Sequence, residues 1–266
     1  MSQIYETQWT WRNPDPTVAG GHQAEPILYK KSKYKLVDSG HMWTSNTPDR
    51  PSKSFDAEAD YGDVNSWVKL KDKKTGSVFT AYCIHYAHTG KMAQILSFQL
   101  YINMVEKMKA DEYLFMGGDF NVTYRSADKY ETMMEWDKIL DLRDVAMNMY
   151  QDGLTTLGAM NGSFIGSAFD KNQPNVDNPG GGRQIDFLMA KYNPHMAIDY
   201  YGFDYGRYAA PEEGVKEGWI SDHYALVVKL RIDTEPDYSQ YMHKHDYGDN
   251  PVYFNRDVVT DSVAGY

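Results

Sequence analysis

Two adjacent glycines, Gly117 and Gly118, lie between the short apolar run Tyr113–Met116 and the polar residues Asp119 and Asn121. An apolar run of this length, rich in aromatic residues, is typical of a strand that is covered on both faces. The glycines allow a sharp turn and a close approach of the backbone to a ligand. Asp119 and Asn121 are two residues apart, so in an extended segment they point to the same side. The pattern predicts either a strand end that can orient a water and bind an oxyanion, or a glycine turn capped by turn-favouring residues.

The bulk composition excludes several classes of protein. The chain has 266 residues, enough for one large domain or two small ones, with 42% hydrophobic and 14% aromatic residues to fill a core. Its single cysteine, Cys83, excludes a disulfide framework and a cysteine-based zinc site. A net charge of −10 argues against a broad cationic surface for nucleic acid. It leaves a phosphate substrate open, because a divalent cation can supply positive charge locally.

The sequence contains no run that approaches the ~18 apolar residues of a membrane span. The first residues, Met1–Glu6, lack the basic and apolar regions of a signal peptide. A true start at Met1 would indicate a cytoplasmic protein, whereas a missing N-terminal segment would leave secretion open.

Strand-like segments outnumber helical ones along the chain. The predicted strands are Pro26–Tyr29, Tyr34–Asp38, Val64–Leu70, Ser77–His85, Tyr113–Met116, Gln184–Ala190 and His223–Leu230. Apolar spacing predicts a helix over Lys91–Met108 with Thr89 as its cap, and a second helix over Lys129–Leu142. The polar stretch Lys71–Gly76 predicts a hairpin turn. Strands with helices between some of them favour an α/β fold over an all-β sandwich. We expect residues 1–232 to form the domain and residues 233–266 a tail or linker.

Charged residues stand at the ends of several of these strands. Asp222 and His223 precede an apolar run, where such a pair can bind a metal, activate a water or stabilise a phosphoryl oxygen, although it also suits a strand cap. Asp186 lies inside an apolar strand, where a buried charge is costly without a partner such as a histidine. His85 ends a strand, and Glu25 leads into one, each with a structural alternative of its own.

The order of these motifs is what makes them specific. Glu25 with Pro26–Tyr29, His85, Gly118–Asn121, Gln184–Phe187 and Ser221–His223 resemble the endonuclease/exonuclease/phosphatase superfamily, the fold of deoxyribonuclease I. The resemblance runs from about Gly20 to Leu230. It implies a four-layer α/β sandwich, with two mixed β-sheets packed face to face and helices outside. It also implies hydrolysis of phosphoester bonds by water with a divalent cation, Mg²⁺ or Mn²⁺.

The resemblance further implies a role for each matching residue. Asp119 would orient the attacking water, and Asn121 would bind the phosphate or that water. His85 would lie on the other side of the phosphate and be oriented by Glu25.

In the same comparison, Asp222 would help to hold the metal. His223 would assist the water or stabilise charge on the phosphoryl oxygens, with Asp186 fixing its orientation. A carboxylate keeps an imidazole in one tautomer and stabilises its charged form, which gives both pairings an independent physical reason.

The sequence departs from the family pattern in three places. The family's Asn strand and Gln-Glu strand should lie well before Glu25, yet only 24 residues precede it, so we expect the chain to lack those strands. The phosphate-binding Arg expected shortly before Trp67 is absent, and the usual Asn-Thr before the first His is replaced by Cys83-Ile84.

Three functions remain open at this point. The first is a divalent-metal-dependent phosphoesterase acting on phosphodiesters or phosphomonoesters. The second is a catalytically weak or inactive sandwich that binds a phosphorylated ligand or a protein, and the third is an unrelated α/β binding protein. The fold does not choose among nucleic acid, a phospholipid head group and a sugar or inositol phosphate as the substrate.

Overall fold

The computed structural model of the chain describes residues 5–8, 25–56, 63–123, 126–134, 138–143, 145, 163–164, 184–204 and 221–236. Residues 5–8 and 127 are described by their backbone alone. The chain divides into two compact units. Unit 1 consists of Met1–Leu140 and Phe187–Asn193, and unit 2 of Asp141–Asp186 and Pro194–Tyr266. Most of the predicted tail lies outside the described residues, so that boundary stays a prediction.

Ten strands occur in the described ranges: β1 Tyr5–Gln8, β2 Ile27–Lys30, β3 Tyr34–Trp43, β4 Val64–Asp72, β5 Val78–His85, β6 Tyr113–Asp119, β7 Ile139–Asp141, β8 Asp186–Lys191, β9 Met196–Asp204 and β10 Ala225–Ile232. All seven predicted strands are confirmed, with bounds that differ by up to a few residues. The strand that begins at Tyr113 reaches Asp119, so both glycines are part of it.

Six strands form one sheet in the order β3-β4-β5-β6-β8-β7. Strands β3, β4 and β5 are antiparallel neighbours, whereas β5 and β6 run parallel. The first four residues of β6 are all buried, as the apolar run predicts. Strands β1 and β2 form a separate antiparallel pair, from which Tyr29 packs against Val68 and Leu70 of β4.

The predicted hairpin turn between β4 and β5 is confirmed. The Asp72 carboxylate accepts the backbone N–H groups of Lys74 at 2.7 Å and Thr75 at 3.0 Å. Gly76 completes the turn with a φ of 84°, a conformation that glycine adopts at low cost.

The first predicted helix is present as α1, Lys91–Val105, but its cap is not the predicted one. Gly90 is the N-cap residue, and no side chain at that position makes a capping bond. Instead the Asp56 carboxylate, distant in sequence, accepts the N–H of Ala93 at 2.9 Å. The prediction of Thr89 was therefore wrong, because local spacing cannot reveal a cap supplied by a remote loop.

The second predicted helix, Lys129–Leu142, is confirmed only in its first part. The described residues there form a π-helical turn at Ala127–Glu131 and a short helix α2 at Thr132–Met134, followed by strand β7 at Ile139–Asp141. All three residues of β7 are buried at the edge of the sheet beside β8. A segment of three residues fits either period, so only its pairing decides its conformation.

Unit 2 contains the antiparallel pair β9 and β10, with an irregular register between Lys229 and Leu230. Arg231 donates to both carboxylate oxygens of Asp199 across the pair, at 3.0 and 3.1 Å. Strand β9 was not predicted. No helix in the described part of the chain is long and apolar enough to cross a membrane.

Candidate active site

His85 and Asp119 lie side by side at the ends of two parallel strands. They are register partners, the last pair of the β5–β6 ladder. Because the carboxyl ends of parallel strands meet at one edge of a sheet, their side chains can approach each other. The His85 Nε2 and Asp119 Oδ2 atoms are 3.9 Å apart.

The glycine directly before Asp119 is required by the backbone. Gly118 has a φ of 142°, and a Cβ atom on it would lie 2.1 Å from the carbonyl oxygen of Ile84 on β5. Only glycine fits this close approach between the strands. Directly after the strand, the Asp119 carboxylate accepts the N–H of Asn121 at 2.7 Å, and Asn121 has a left-handed φ of 51°. The strand end and the capped turn, two alternatives in the sequence, are thus one structure.

Asn121 is tied to the loop that follows β5. Its side-chain N–H donates to the Tyr86 carbonyl at 2.7 Å. The buried Gln94 of α1 donates to two carbonyls, that of Ala87 at 2.8 Å and that of Asn121 at 3.0 Å. Tyr86 in turn donates its N–H to the Asp119 carbonyl at 3.0 Å. These bonds hold the loops after β5 and β6 in a single arrangement.

Glu25 holds the other side of the His85 ring. Its carboxylate oxygen is 3.1 Å from His85 Nδ1, and the two side chains are 15% and 24% exposed. The backbone N–H of His85 donates to the Asn65 side chain at 2.9 Å. We call Glu25, His85, Asp119 and Asn121 the His85 cluster, and all four belong to unit 1.

The His85 imidazole is positively charged at neutral pH. Burial lowers its pKa, but the hydrogen bond to Glu25 and the negative charges of Asp63, Glu25 and Asp119 outweigh burial and raise the pKa to about 9. On the neighbouring Cys83, burial and the charge of Glu25 raise the pKa of the thiol to about 12. The thiol therefore stays protonated and is a poor nucleophile.

A second imidazole–carboxylate pair lies in unit 2. His223 Nδ1 is 2.8 Å from Asp186 Oδ2, with the side chains 27% and 14% exposed. Asp186 is the first residue of β8, and the His223 N–H donates to the Ser221 hydroxyl at 3.1 Å. The ring of Phe164 packs against the His223 ring at 4.8 Å between centroids. We call Asp186 and His223 the His223 pair.

Solved structures share these elements over most of the chain. The mannosyl-6-phosphatase Bt3783 of Bacteroides thetaiotaomicron VPI-5482 is 24% identical, with matched regions covering 86% of this chain and 78% of that one, and a TM-score of 0.65. An endonuclease/exonuclease/phosphatase from Bacteroides vulgatus is 24% identical over 86% of this chain and 77% of its own, with a TM-score of 0.60. D. rerio TDP2 complexed with single strand DNA product is 10% identical over 85% and 77%, with a TM-score of 0.54.

The chain has the endonuclease/exonuclease/phosphatase fold. The predicted fold class, the deoxyribonuclease I-like α/β sandwich, is thereby confirmed. No protein-family profile matches the sequence, and no curated protein matches it.

The metal predicted for this fold needs more ligands than the described side chains offer. Mg²⁺ prefers octahedral coordination by oxygen. Asp222, the predicted ligand, is exposed and lies 3.5 Å from the Ser221 hydroxyl. Within the described ranges, no group of three or more histidine, cysteine, aspartate or glutamate side chains could hold a metal ion. These described side chains alone do not complete a metal site.

Several polar residues that support the site carry no sequence signal. Three of them are fully buried. The Asn65 side chain accepts the N–H of His85, Gln94 donates to the carbonyl of Asn121, and the Ser163 hydroxyl accepts the N–H of Asp186. Each is an uncharged polar residue outside any recognisable motif, and only the fold shows which backbone group it faces.

The phosphate-binding arginine of the family is expected shortly before Trp67, and none of the described residues in that stretch is an arginine. Asp63 occupies the end of that stretch and is 3% exposed, and residues 57–62 lie outside the described ranges. Arg143 in unit 2 is 1% exposed and pairs with the Asp141 carboxylate at 3.3 Å.

Proposed function

We propose that the chain is a phosphoesterase that hydrolyses phosphodiester or phosphomonoester bonds by attack of water and depends on Mg²⁺ or Mn²⁺. The observation that carries the proposal is the contact of Glu25 with His85, which lies beside Asp119 where β5 and β6 end. The fold supports it, because one structure of this fold is named as a phosphatase and another is complexed with a DNA product.

In this proposal His85 binds the phosphate. A charged imidazole donates from Nε2 to a phosphoryl oxygen and stabilises the negative charge that the transition state spreads over those oxygens. Glu25 accepts at Nδ1, so Nε2 carries the proton that faces the substrate. The side chain of Asn121 adds a neutral polar group for the phosphate or the water.

Asp119 orients the attacking water as its general base. Its Oδ1 atom accepts the N–H of Asn121, and its Oδ2 atom lies 3.9 Å from Nε2 of His85. The carboxylate is 18% exposed, so a water molecule can reach it. Positioning and proton acceptance of this kind contribute about 100- to 10,000-fold to a rate.

The His223 pair would perform the same chemistry in unit 2. Asp186 accepts at Nδ1 of His223, which leaves Nε2 to assist the water or to stabilise a phosphoryl oxygen. We assign no geometry between this pair and the His85 cluster.

We include a divalent cation in the proposal because the His85 cluster carries more negative than positive charge. Two carboxylates, Glu25 and Asp119, face one imidazolium, so a phosphate anion would meet net negative charge there. A divalent cation would supply the missing positive charge. We propose Asp222 of unit 2 as a ligand of a cation from its sequence motif alone, and we assign it no position relative to the His85 cluster.

The test is hydrolysis of a substrate panel with Mg²⁺, with Mn²⁺ and with EDTA. Bis-p-nitrophenyl phosphate, p-nitrophenyl phosphate, mannose 6-phosphate and single-stranded DNA represent the substrate classes. The matched variants are Asp119→Asn, which keeps an acceptor for the Asn121 N–H, and Asp49→Asn on the exposed surface. We expect turnover that EDTA abolishes and a loss of at least about 100-fold in Asp119→Asn alone.

Equal rates in the two variants would remove Asp119 from the reaction. Binding of a phosphorylated compound without turnover, at any cation concentration, would favour the second function, an inactive sandwich that binds its ligand.

A further inference from the structure

Ser163 occupies a buried position between the two residues of the His223 pair. It is 0% exposed. Its hydroxyl oxygen accepts the backbone N–H of Ile185 at 3.0 Å and that of Asp186 at 3.1 Å. Its carbonyl oxygen accepts the N–H of Tyr224, the residue after His223, at 2.8 Å. One residue therefore holds the backbone on both sides of the carboxylate–imidazole hydrogen bond.

The next residue along the chain confines the imidazole ring itself. Phe164 and His223 form an isolated antiparallel bridge, and their rings are 4.8 Å apart at an angle of 45°. The His223 ring thus has an aromatic ring against it and the Asp186 carboxylate 2.8 Å from Nδ1. The first constraint comes from the residue after Ser163, and the second comes from Asp186, whose backbone N–H Ser163 holds.

We propose that Ser163 is a positioning residue, which sets the distance and angle between the Asp186 carboxylate and the His223 imidazole. A hydroxyl oxygen has two lone pairs and can accept two N–H groups at once, which few other small side chains can do. Without it, two backbone N–H groups are left buried and unpaired, and a shift of the chain that pairs them again moves Asp186. The consequence for catalysis rests on the phosphoesterase function proposed above.

The experiment compares Ser163→Ala with Ser97→Ala. Ser97 is 1% exposed and bonds the Ala93 carbonyl within α1, so its variant also loses a buried hydroxyl bond but belongs to unit 1. The first readout is the downfield proton NMR signal of His223 Nδ1–H, assigned with a His223→Gln variant. The second is the division of the activity loss between kcat and KM.

We expect Ser163→Ala to shift or broaden the His223 signal and to lower kcat by about 10- to 100-fold with KM nearly unchanged. Ser163→Thr keeps the hydroxyl and is expected to restore both. Ser97→Ala should leave both at the wild-type value.

The proposal is overturned if Ser163→Ala is folded and matches Ser97→Ala in the His223 signal. If Ser163→Ala does not fold, Ser163→Cys replaces it, because sulfur of similar size is a weak acceptor. An unchanged His223 signal in Ser163→Cys would likewise overturn the proposal. If the wild type hydrolyses no substrate, the proposed function fails, while the NMR comparison still decides the role of Ser163.

Discussion

At the scale of single residues, the charge of His85 is set by its neighbours rather than by its own chemistry. An isolated histidine is mostly neutral at pH 7.5, since its ordinary pKa is about 6.5. Three carboxylates, those of Glu25, Asp63 and Asp119, overcome burial and keep this one protonated. An imidazole that is charged at neutral pH suits a group that binds phosphate oxygens and does not suit a general base.

Glu25→Gln is expected to lower the pKa of His85 from about 9 towards its ordinary value, because the bonded carboxylate is the largest of the raising influences. NMR titration of the His85 ring protons measures the change. Glu106→Gln, on the exposed surface of unit 1, is the control and should leave the titration unaltered. A His85 midpoint that stays near 9 in Glu25→Gln would contradict the assigned contact.

Gly118→Ala is expected to destabilise the fold by about 2–4 kcal/mol, because strain at a special backbone conformation and a forced clash both add to the cost. The added Cβ would lie 2.1 Å from the Ile84 carbonyl oxygen, a backbone atom that cannot move without disturbing β5. Gly76→Ala is the matched control. Gly76 also has a positive φ, of 84°, but its nearest neighbour is a flexible Lys71 side-chain atom at 3.9 Å.

Urea unfolding of both glycine variants measures the difference. Similar midpoints for Gly118→Ala and Gly76→Ala would mean that the approach of β6 to β5 is looser than the structure shows.

At the scale of elements, the N-terminus of helix α1 is capped by a residue that is distant in sequence. Asp56 accepts the Ala93 N–H, and an acidic group there also interacts favourably with the positive end of the helix dipole. The helix in turn carries Gln94, which bonds the loops after β5 and β6. The start of α1 is thus connected to the position of Asn121.

Asp56→Ala is expected to cost about 1 kcal/mol of unfolding free energy, the usual value of a lost N-cap bond. Thr89→Ala, at the exposed position that the sequence predicted as the cap, should cost nothing measurable. Chemical denaturation of the two variants measures both values. A larger loss for Thr89→Ala than for Asp56→Ala would restore the sequence-based assignment.

At the scale of the whole molecule, the raised pKa of His85 couples protonation to stability. The folded protein holds this proton up to a pH of about 9, whereas the unfolded chain releases it near 6.5. Because the folded pKa is the higher one, the stabilisation is complete below pH 6.5 and is lost as the pH rises through 9. The difference corresponds to about 3 kcal/mol at most.

The unfolding free energy of the wild type relative to His85→Gln should therefore fall between pH 6 and pH 10. Groups that do not interact with His85 affect both proteins alike, so the difference reports on His85 and the carboxylates around it. Denaturant titrations at several pH values measure it. A difference that is constant over this range, or that grows with pH, would show that His85 is not stabilised in its charged form.

Much of the fold and of the candidate site was predictable because its signals are local. Tyr113–Met116 is apolar enough to be a covered strand, and every predicted strand is present. The order of Glu25, His85, Asp119, Asp186 and His223 predicted the fold class that the solved structures confirm. The roles of these residues stay predictions.

Other features could not be read from neighbouring residues. The strand β7 at Ile139–Asp141 was taken for the end of a helix, since its conformation follows from pairing at the edge of the sheet. The cap of α1 comes from Asp56 and not from Thr89. In both cases the deciding partner is distant in sequence.

Local chemistry was sufficient for the strands, the turn at Asp72 and the glycines, because backbone preferences and side-chain periodicity act over a few residues. The resemblance already paired Glu25 with His85, but tertiary structure alone decided the distance between them, the charge on that imidazole and the anchoring of Asp186 by Ser163. These properties arise from burial and from distances between atoms that are far apart in the chain, and no local pattern encodes a distance.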